Sequence, residues 1–364
     1  MTHFQSQHEL ARLDQLTEMG DPLIPLNAQI NWEIFRPDLN RIRQKARKST
    51  AGAKPFDVVL MFKMLILQNS YGLGDHSLEY QVRDRLSFMR FLGLSLADRV
   101  PDEKTVWAYR EALGKLGLVE VLFDKFHQQL SSQGYTARKG QMIDASFVEA
   151  PKQRNSREEN AQIKEGKTPE AWDKTPNKKR QKDVDARWTK KNNETYYGYK
   201  NHINADQENK LIQCYAVTDA AVHDSQVFEE LLDHSEDEHG KKRPVYGDSA
   251  YRSADHEKQL AEDKIESQIC EKGVKNSPLT EEQKKSNREK SKVRARVEHV
   301  FGAQAAMNAD IVRTVGIKRA KVRIGLTNLV YNMKRLGQLL KRDAVRCIKK
   351  LNVENYREGA LKIV

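Results

Sequence analysis

The sequence predicts an α/β protein in two parts, an all-helical N-terminal region followed by a mixed β-sheet flanked by helices. Three observations predict it. Apolar residues recur three and four apart up to about residue 135; strand-like runs begin at "KGQMIDASFVEAP"; and the later strand runs alternate with helical ones. A chain of 364 residues has ample material for a large core. The expected division is 1–135 for the helical part, 136–345 for the sheet part with a polar insertion at 152–193, and 346–364 as a tail.

In the first part, "DVVLMFKMLILQN", "HSLEYQVRDRLSFMRFLGL", "EKTVWAYREALGKLG" and "LVEVLFDKFHQQLSS" have helical spacing. "SYGLGDHS" and "DRVPDE" hold the Gly, Pro and Asp that end one helix and cap the next, with Asp102 placed as an N-cap. Short helices with tight turns suit a helix-turn-helix and, equally, a bundle that only packs.

In the second part, Met142 to Val148 is apolar apart from Asp144 and Ser146, and Pro151 ends the strand. Residues 152–193 lack apolar periodicity, which predicts a long mobile insertion. Strand signals follow at "TYYGYKNHINAD", "KLIQCYAVTDA" and "RPVYGDSA", the last two separated by the helical "DSQVFEELLDHS". Then come a helical "ADHEKQLAEDK", a short strand "IESQIC" and one basic helical run through "SKVRARVEHVFGAQ". The first three strands suit an antiparallel meander, and the helix-linked later ones require crossovers.

Lys+Arg 63 against Asp+Glu 51 gives a net charge of +12 and a pI near 9.4, so a polyanion is the natural partner. The most apolar run, "VVLMFKMLIL", is short and interrupted by Lys63, which suits a buried helix and not a membrane span. The N-terminal "MTHFQSQHELARLDQ" lacks the apolar core of a signal peptide, so the expected location is the cytoplasm. Cys214, Cys270 and Cys347 form neither a disulfide framework nor a zinc pattern and are expected to be reduced packing residues.

Asp144 lies in the first strand, Asp248 ends the strand of "VYGDSAY", and Glu298 follows the fifth strand. A strand end tolerates a carboxylate because it meets water or a ligand. Pairing the first strand with the fourth brings the two aspartates together, within reach of Glu298 on the following helix. Three such carboxylates raise one another's pKa unless divalent cations neutralise them. Hard cations with oxygen ligands, Mg²⁺ above all, suit that donor set, and two of them serve displacement at phosphorus.

The blocks "MIDASFVEAP", "DVDARWTKKNNETYYGYKNHINAD", "VYGDSAYRS" and "RVEHVFG", with "PFDVVLMFKMLILQNSYGLGDHSLEYQVRDRLSFMRFLGL" and "PDEKTVWAYREAL" before them, resemble the DDE transposases of bacterial insertion sequences, in the group known as insertion sequence family five. The likeness spans roughly residues 50–340. It implies a ribonuclease-H-like catalytic domain with Asp144, Asp248 and Glu298 as catalytic, metal-binding acids. It also implies two Mg²⁺ ions, for which Mn²⁺ can substitute, and double-stranded DNA as partner, both as the element's terminal repeats and as target. A homodimer, handling two ends, in a bacterial cytoplasm and associated with the nucleoid, follows from the same resemblance. Arg294, four residues before Glu298, matches the family's basic residue one helical turn ahead of the glutamate. Where relatives carry a tyrosine a turn earlier still and a lysine two turns after the glutamate, this chain has Ser291 and Ala305. A non-cutting DNA-binding regulator and a structure-specific nuclease are the alternative readings.

Lys200 and His202 alternate on "YGYKNHI" and so face one side, where Lys200 is a candidate phosphate contact and His202 is given no catalytic role. Asp224 is expected to cap the "SQVFEELL" helix. Trp188 either stacks on an unpaired base or packs where the insertion rejoins the fold. Residues 311–342 carry nine Lys/Arg and no acid, with Leu326, Leu329, Val330, Met333, Leu336 and Leu340 on one face. Lys334 and Arg335 are therefore expected to contact the DNA backbone.

Overall fold

The longest apolar run becomes helix α4 (Val58–Ser70), in which Phe62, Met64, Leu65, Ile66 and Leu67 are fully buried. Asp57 starts it by accepting the N–H groups of Val59 and Leu60. The computed structural model describes residues 7–43, 54–137, 139–191, 193–236, 240–273 and 278–361, and side chains as far as 347. Before α4 come α1 (Gln7–Glu18), α2 (Leu23–Gln29) and α3 (Arg36–Leu39); after it come α5 (Asp75–Asp84), α6 (Leu86–Leu92), α7 (Glu103–Lys115) and α8 (Leu118–Ser132). The expected cap is present, since the Asp102 carboxylate accepts the Thr105 N–H at 2.7 Å.

The sheet begins with β1 (Gln141–Glu149). The segment expected to be a mobile insertion is ordered instead: α9 (Arg157–Lys164), a 3₁₀ turn, α10 (Pro176–Gln181) and β2 (Arg187–Lys191). One aromatic explains the difference. Trp172 is fully buried, donates its indole N–H to Glu159 at 2.6 Å, and lies under Lys178, so a single anchor replaces the missing apolar periodicity. A Ser156–Glu159 capping box starts α9.

The remaining strands are β3 (Glu194–Asp206), β4 (Ile212–Asp219), β5 (Val245–Gly247) and β6 (Ser267–Ile269), linked by the short α11 (Phe228–Leu231) and by α12 (Ala254–Glu262). Strands β1, β3 and β4 form the expected antiparallel meander, and β5 and β6 add on in parallel beyond β1. The long β3 pairs β2 with its first residues and β4 with the rest, along one edge. The result is a ribonuclease-H-like mixed sheet flanked by helices.

The basic run predicted as one helix is two, α13 (Glu281–Arg294) and α14 (Glu298–Ala305), with a turn over 295–297. Last comes α15 (Ile317–Leu361), which continues through most of the expected tail. Its stripe Leu326, Leu329, Val330, Met333 and Leu336 packs into the same core as α4, α7 and α8, together with Met142 and Ile203 of the sheet. The other sheet face buries Ile143, Phe228, Leu231, Val245, Tyr251 and Leu260. Cys214 and Cys270 pack as expected, but Cys347 is exposed, because α15 has left the core at that point.

If Trp172 holds the insertion, Trp172→Ala should cost locally about 3–5 kcal/mol. Trypsin should then cut rapidly at Lys178, Lys179 and Arg180 while the main melting transition moves little. An unchanged cleavage rate there would show that Trp172 is not the anchor.

Candidate active site

The parallel pairing of β1 with β5 joins Gln141 to Val245 and Met142 to Tyr246. Both pairs are 104 positions apart, and so are Asp144 and Asp248; the register therefore carries the two aspartates side by side just past the end of β5. Alternation fixes the face. Asp144 points the same way as Met142, toward the core shared with the helical region, and Asp248 the same way as Tyr246.

Gly247 explains itself in this frame. A Cβ there would lie 3.3 Å from the Tyr251 ring, which folds back beneath the strand end. The Asp248 carboxylate accepts the Ala250 N–H at 2.8 Å, tightening the same turn. Tyr251 is fully buried, and its hydroxyl has no hydrogen-bond partner among the described residues. Burial, with Asp144, Asp224 and Asp248 nearby, pushes its pKa up, so the phenol stays neutral.

Asp144 is buried, and one oxygen accepts its neighbour's backbone N–H, that of Ala145, at 2.8 Å. The other accepts Arg294 Nη1 at 2.7 Å. Burial pushes its pKa up to about 6 despite the guanidinium, with the Asp248 charge adding to the rise and Lys191 opposing it. Sequence reading missed Lys191; its only signal was the "TKKNN" turn leading into β3.

Arg294 is the last residue of α13, and Glu298 the first of α14. The two side chains approach to 4.0 Å across the intervening turn. Val297 and Val300 are buried in the shared core, and Gln304 joins Asn201 and Asn328 in a buried amide network, which sets the roll of α14. Glu298 lies off that stripe, and its side chain is 65% exposed. The structure thus brings Asp144, Asp248 and Arg294 together, and reaches Glu298 only through Arg294. Among the described residues no cluster of three or more His, Cys, Asp or Glu side chains is gathered to hold a metal. The aspartate pair fits a hard cation nonetheless: both donors are carboxylates, and the second Asp248 oxygen carries no hydrogen bond among the described residues.

Comparison with known families settles the kind of protein. Residues 135–333 match the family described as the transposase DDE domain, and residues 11–112 match the one described as transposase domain (DUF772). The chain belongs to the transposase DDE domain family. Among solved structures it is similar to the piggyBac transposase in a synaptic complex with hairpin DNA, at 13% identity over 86% of this chain and 73% of that one, with a TM-score of 0.42.

The other residues singled out in this DDE-family chain fall as follows. Lys200, expected to meet a DNA phosphate, is buried and donates to Asp224 at 2.8 Å and to the Val222 carbonyl at 2.7 Å. Its face of β3 is covered by the segment after β4. Asp224 is therefore a counter-ion and not the expected cap; His223 caps instead, its ring nitrogen facing the Ser225 N–H at 3.3 Å. Lys334 donates to the Ser70 carbonyl at 3.0 Å and Arg335 to the Asn209 carbonyl at 2.6 Å, while both line a groove of about 660 Å³ beside α14. Trp188 is 46% exposed and tilts against Tyr197, a packing role where the insertion rejoins the sheet. Among the described residues, no helix is long and apolar enough to cross a membrane.

His202 is fully buried between Thr218, at 2.8 Å, and Asp224, at 3.9 Å, with Lys200 on the same face. Burial pushes its pKa down to about 4, so the folded protein keeps it neutral where the unfolded chain takes up a proton. Stability linked to His202 is full above about pH 6.5 and is lost as pH falls toward 4, by up to about 3 kcal/mol. Thermal melts of His202→Gln should show a flatter dependence over that window than the parent; parallel curves would show that another group carries it.

Proposed function

We propose that the chain is a metal-dependent transposase of the insertion sequence family five group, which cuts DNA at its element's terminal inverted repeats and joins the exposed 3′ hydroxyl to target DNA. The observation that carries this is the pair Asp144 and Asp248, set on one face by the β1–β5 register in a chain of the transposase DDE domain family. These two carboxylates would hold Mg²⁺, two ions in the full site with Mn²⁺ able to replace them, and Glu298 would complete the set. Such cations activate an attacking oxygen and stabilise a leaving one at phosphorus.

The protein's own residues supply the rest. Burial of Asp144 against Arg294 keeps water out on one side and holds the carboxylate in a single orientation. Arg294, partly exposed, carries positive charge at the place where a phosphate would enter. Residues 1–135 are assigned most of the repeat recognition and 136–345 the chemistry, with 152–193 as an insertion and 346–364 as the C-terminal segment. Lys334 and Arg335 supply sequence-independent backbone contacts, and a homodimer in the cytoplasm, at the nucleoid, handles both ends of the element on double-stranded DNA.

The test separates positioning from chemistry. Asp248→Ala should bind repeat-end duplex almost as the parent does and lose cleavage. Asp248→Cys and Asp144→Cys should be inactive with Mg²⁺ and partly restored by the more thiophilic Mn²⁺. Pre-cut repeat ends should be joined to target DNA by the parent; cutting without joining identifies a nuclease, and binding without either identifies a regulator. A well-folded Asp248→Ala protein that still cuts at near the parental rate would overturn the assignment.

A further inference from the structure

A groove of about 1300 Å³ runs between α7, the loop before α5, and residues 308–323. Its wall carries Arg323 of α15, a partly buried residue whose guanidinium hydrogen bonds go only to neutral acceptors, the Asn69 side-chain oxygen and the Asn308 carbonyl. No carboxylate pairs with it among the described residues. Burial pushes its pKa down to about 10, with Arg110 adding repulsion, so it remains charged at neutral pH. Thr314 lines the same groove, and its hydroxyl is buried without a partner among the described residues.

A charge withdrawn even partly from water without a counter-ion is costly, and so is an orphaned hydroxyl. The acids nearby do not relieve it. Asp75 pairs with Arg110 at 2.6 Å, Glu111 with Arg319 at 2.8 Å, and Asp185 accepts the Ile317 N–H at 2.9 Å; Glu120 and Asp310 line the groove without pairing to Arg323. At the start of α15 the Gly316 N–H is already taken by Asp183 at 3.0 Å and the Ile317 N–H by Asp185 at 2.9 Å. At the rim, Arg313, Lys318 and Lys321 are exposed and carry no ion pair among the described residues.

We infer that this groove binds the backbone of duplex DNA, with Arg323 donating to a phosphate and Arg313, Lys318 and Lys321 flanking it. The inference rests on the reading of the chain as one that acts on DNA, and adds a contact surface distinct from Lys334 and Arg335. A small anion would use Arg323 alone; the row of exposed cations from Arg313 to Lys321 suits a polyanion. Strand β1 ties the groove to the aspartates. Glu149, five residues beyond Asp144, donates its N–H to the Asp310 carbonyl on the groove wall at 2.7 Å. That places the groove about 16 Å along the strand from Asp144, a span of about five base pairs of duplex.

The experiment is fluorescence anisotropy of the full-length protein with a labelled random-sequence duplex over a salt series. Arg323→Gln should weaken binding several-fold and lower the salt slope by roughly 0.9, and the combined Arg313→Gln, Lys318→Gln and Lys321→Gln protein should lower it further by about that amount per lost contact. Because Arg323→Gln removes an uncompensated charge, its Tm should hold or rise, whereas an arginine kept for structure would lower it. Folded variants that bind with parental affinity and slope would overturn the groove assignment while leaving the proposed transposase intact. A parent protein that binds no duplex even at low salt would instead sink the DNA reading beneath it. Inorganic phosphate that raises the parent's Tm through Arg323 as much as the duplex does would overturn the polyanion in favour of a small-anion site.

Discussion

Everything positioned near the aspartates depends on where α15 is buried. Its first turns place Ala320 and Ile324 against Val148, Tyr199 and Val217 of the sheet, and the following turns send Leu326 to Leu336 into the helical region. One helix therefore closes two cores. On its sheet-facing side Asn328 and Asn332 replace apolar residues, bonding Asn201, Gln304 and both backbone groups of Ile212. Buried amides are tolerated when every partner is supplied, and they fix register in a way that interchangeable leucines do not. The amide network locks α14 to β3, and so fixes the distance between the sheet acids and the start of α14. A division of labour between residues 1–135 and the sheet cannot then be a division into separately closed cores, because the helical region borrows its last packing surface from the end of the chain.

Within that frame the electrostatics of Asp144 are a contest between two effects, and their order matters. Desolvation outweighs the 2.7 Å contact with Arg294, leaving the carboxyl at about 6. Arg294 is itself only partly buried, so solvent weakens its pull, whereas Asp144 sits under the sheet surface where its own hydration is already gone. An acid in that state has unsatisfied demand for positive charge. A divalent cation would supply more of it than one guanidinium can, and on that ground the pair of aspartates, with only two carboxylates in place, suits the proposed cation.

The sequence made much of this legible because strands and acids carry strong local signals. The alternation of "MIDASFV", the terminator Pro151, and an identical spacing of 104 between the paired strands and the paired acids all survive into the fold. What was illegible had no local signal. The insertion lacks periodicity, yet one tryptophan with a glutamate 13 positions away holds it. Lys200 and Asp224 look like an exposed cation and a helix cap, and become a buried ion pair only because β3 and the segment after β4 meet. Helix α13 has favourable helical residues through its end, and nothing in "VRARVEH" announces the turn at 295–297. That turn arises from a tertiary demand: Val297 and Val300 must enter the core while Arg294 reaches the sheet edge.

The same turn decides how a third acid can join the first two. Rotating α14 to swing Glu298 inward would pull Val297 and Val300 out of the core and break the Gln304 contacts. Each buried aliphatic side chain exposed would cost about 1.5–3 kcal/mol, and each orphaned buried amide about 1–3 more. The helix is therefore the stiff partner. What can move cheaply is the Glu298 side chain, which is mostly exposed, and the Arg294 side chain, which stands between it and Asp144. In the proposed site Asp144 and Asp248 would hold the cation, Arg294, relieved of Asp144, would be free to turn toward a phosphate, and the space it now fills would fall to Glu298. On these energetics the proposed site would close by exchanging one arginine's partner, with the helices and the sheet left as they are.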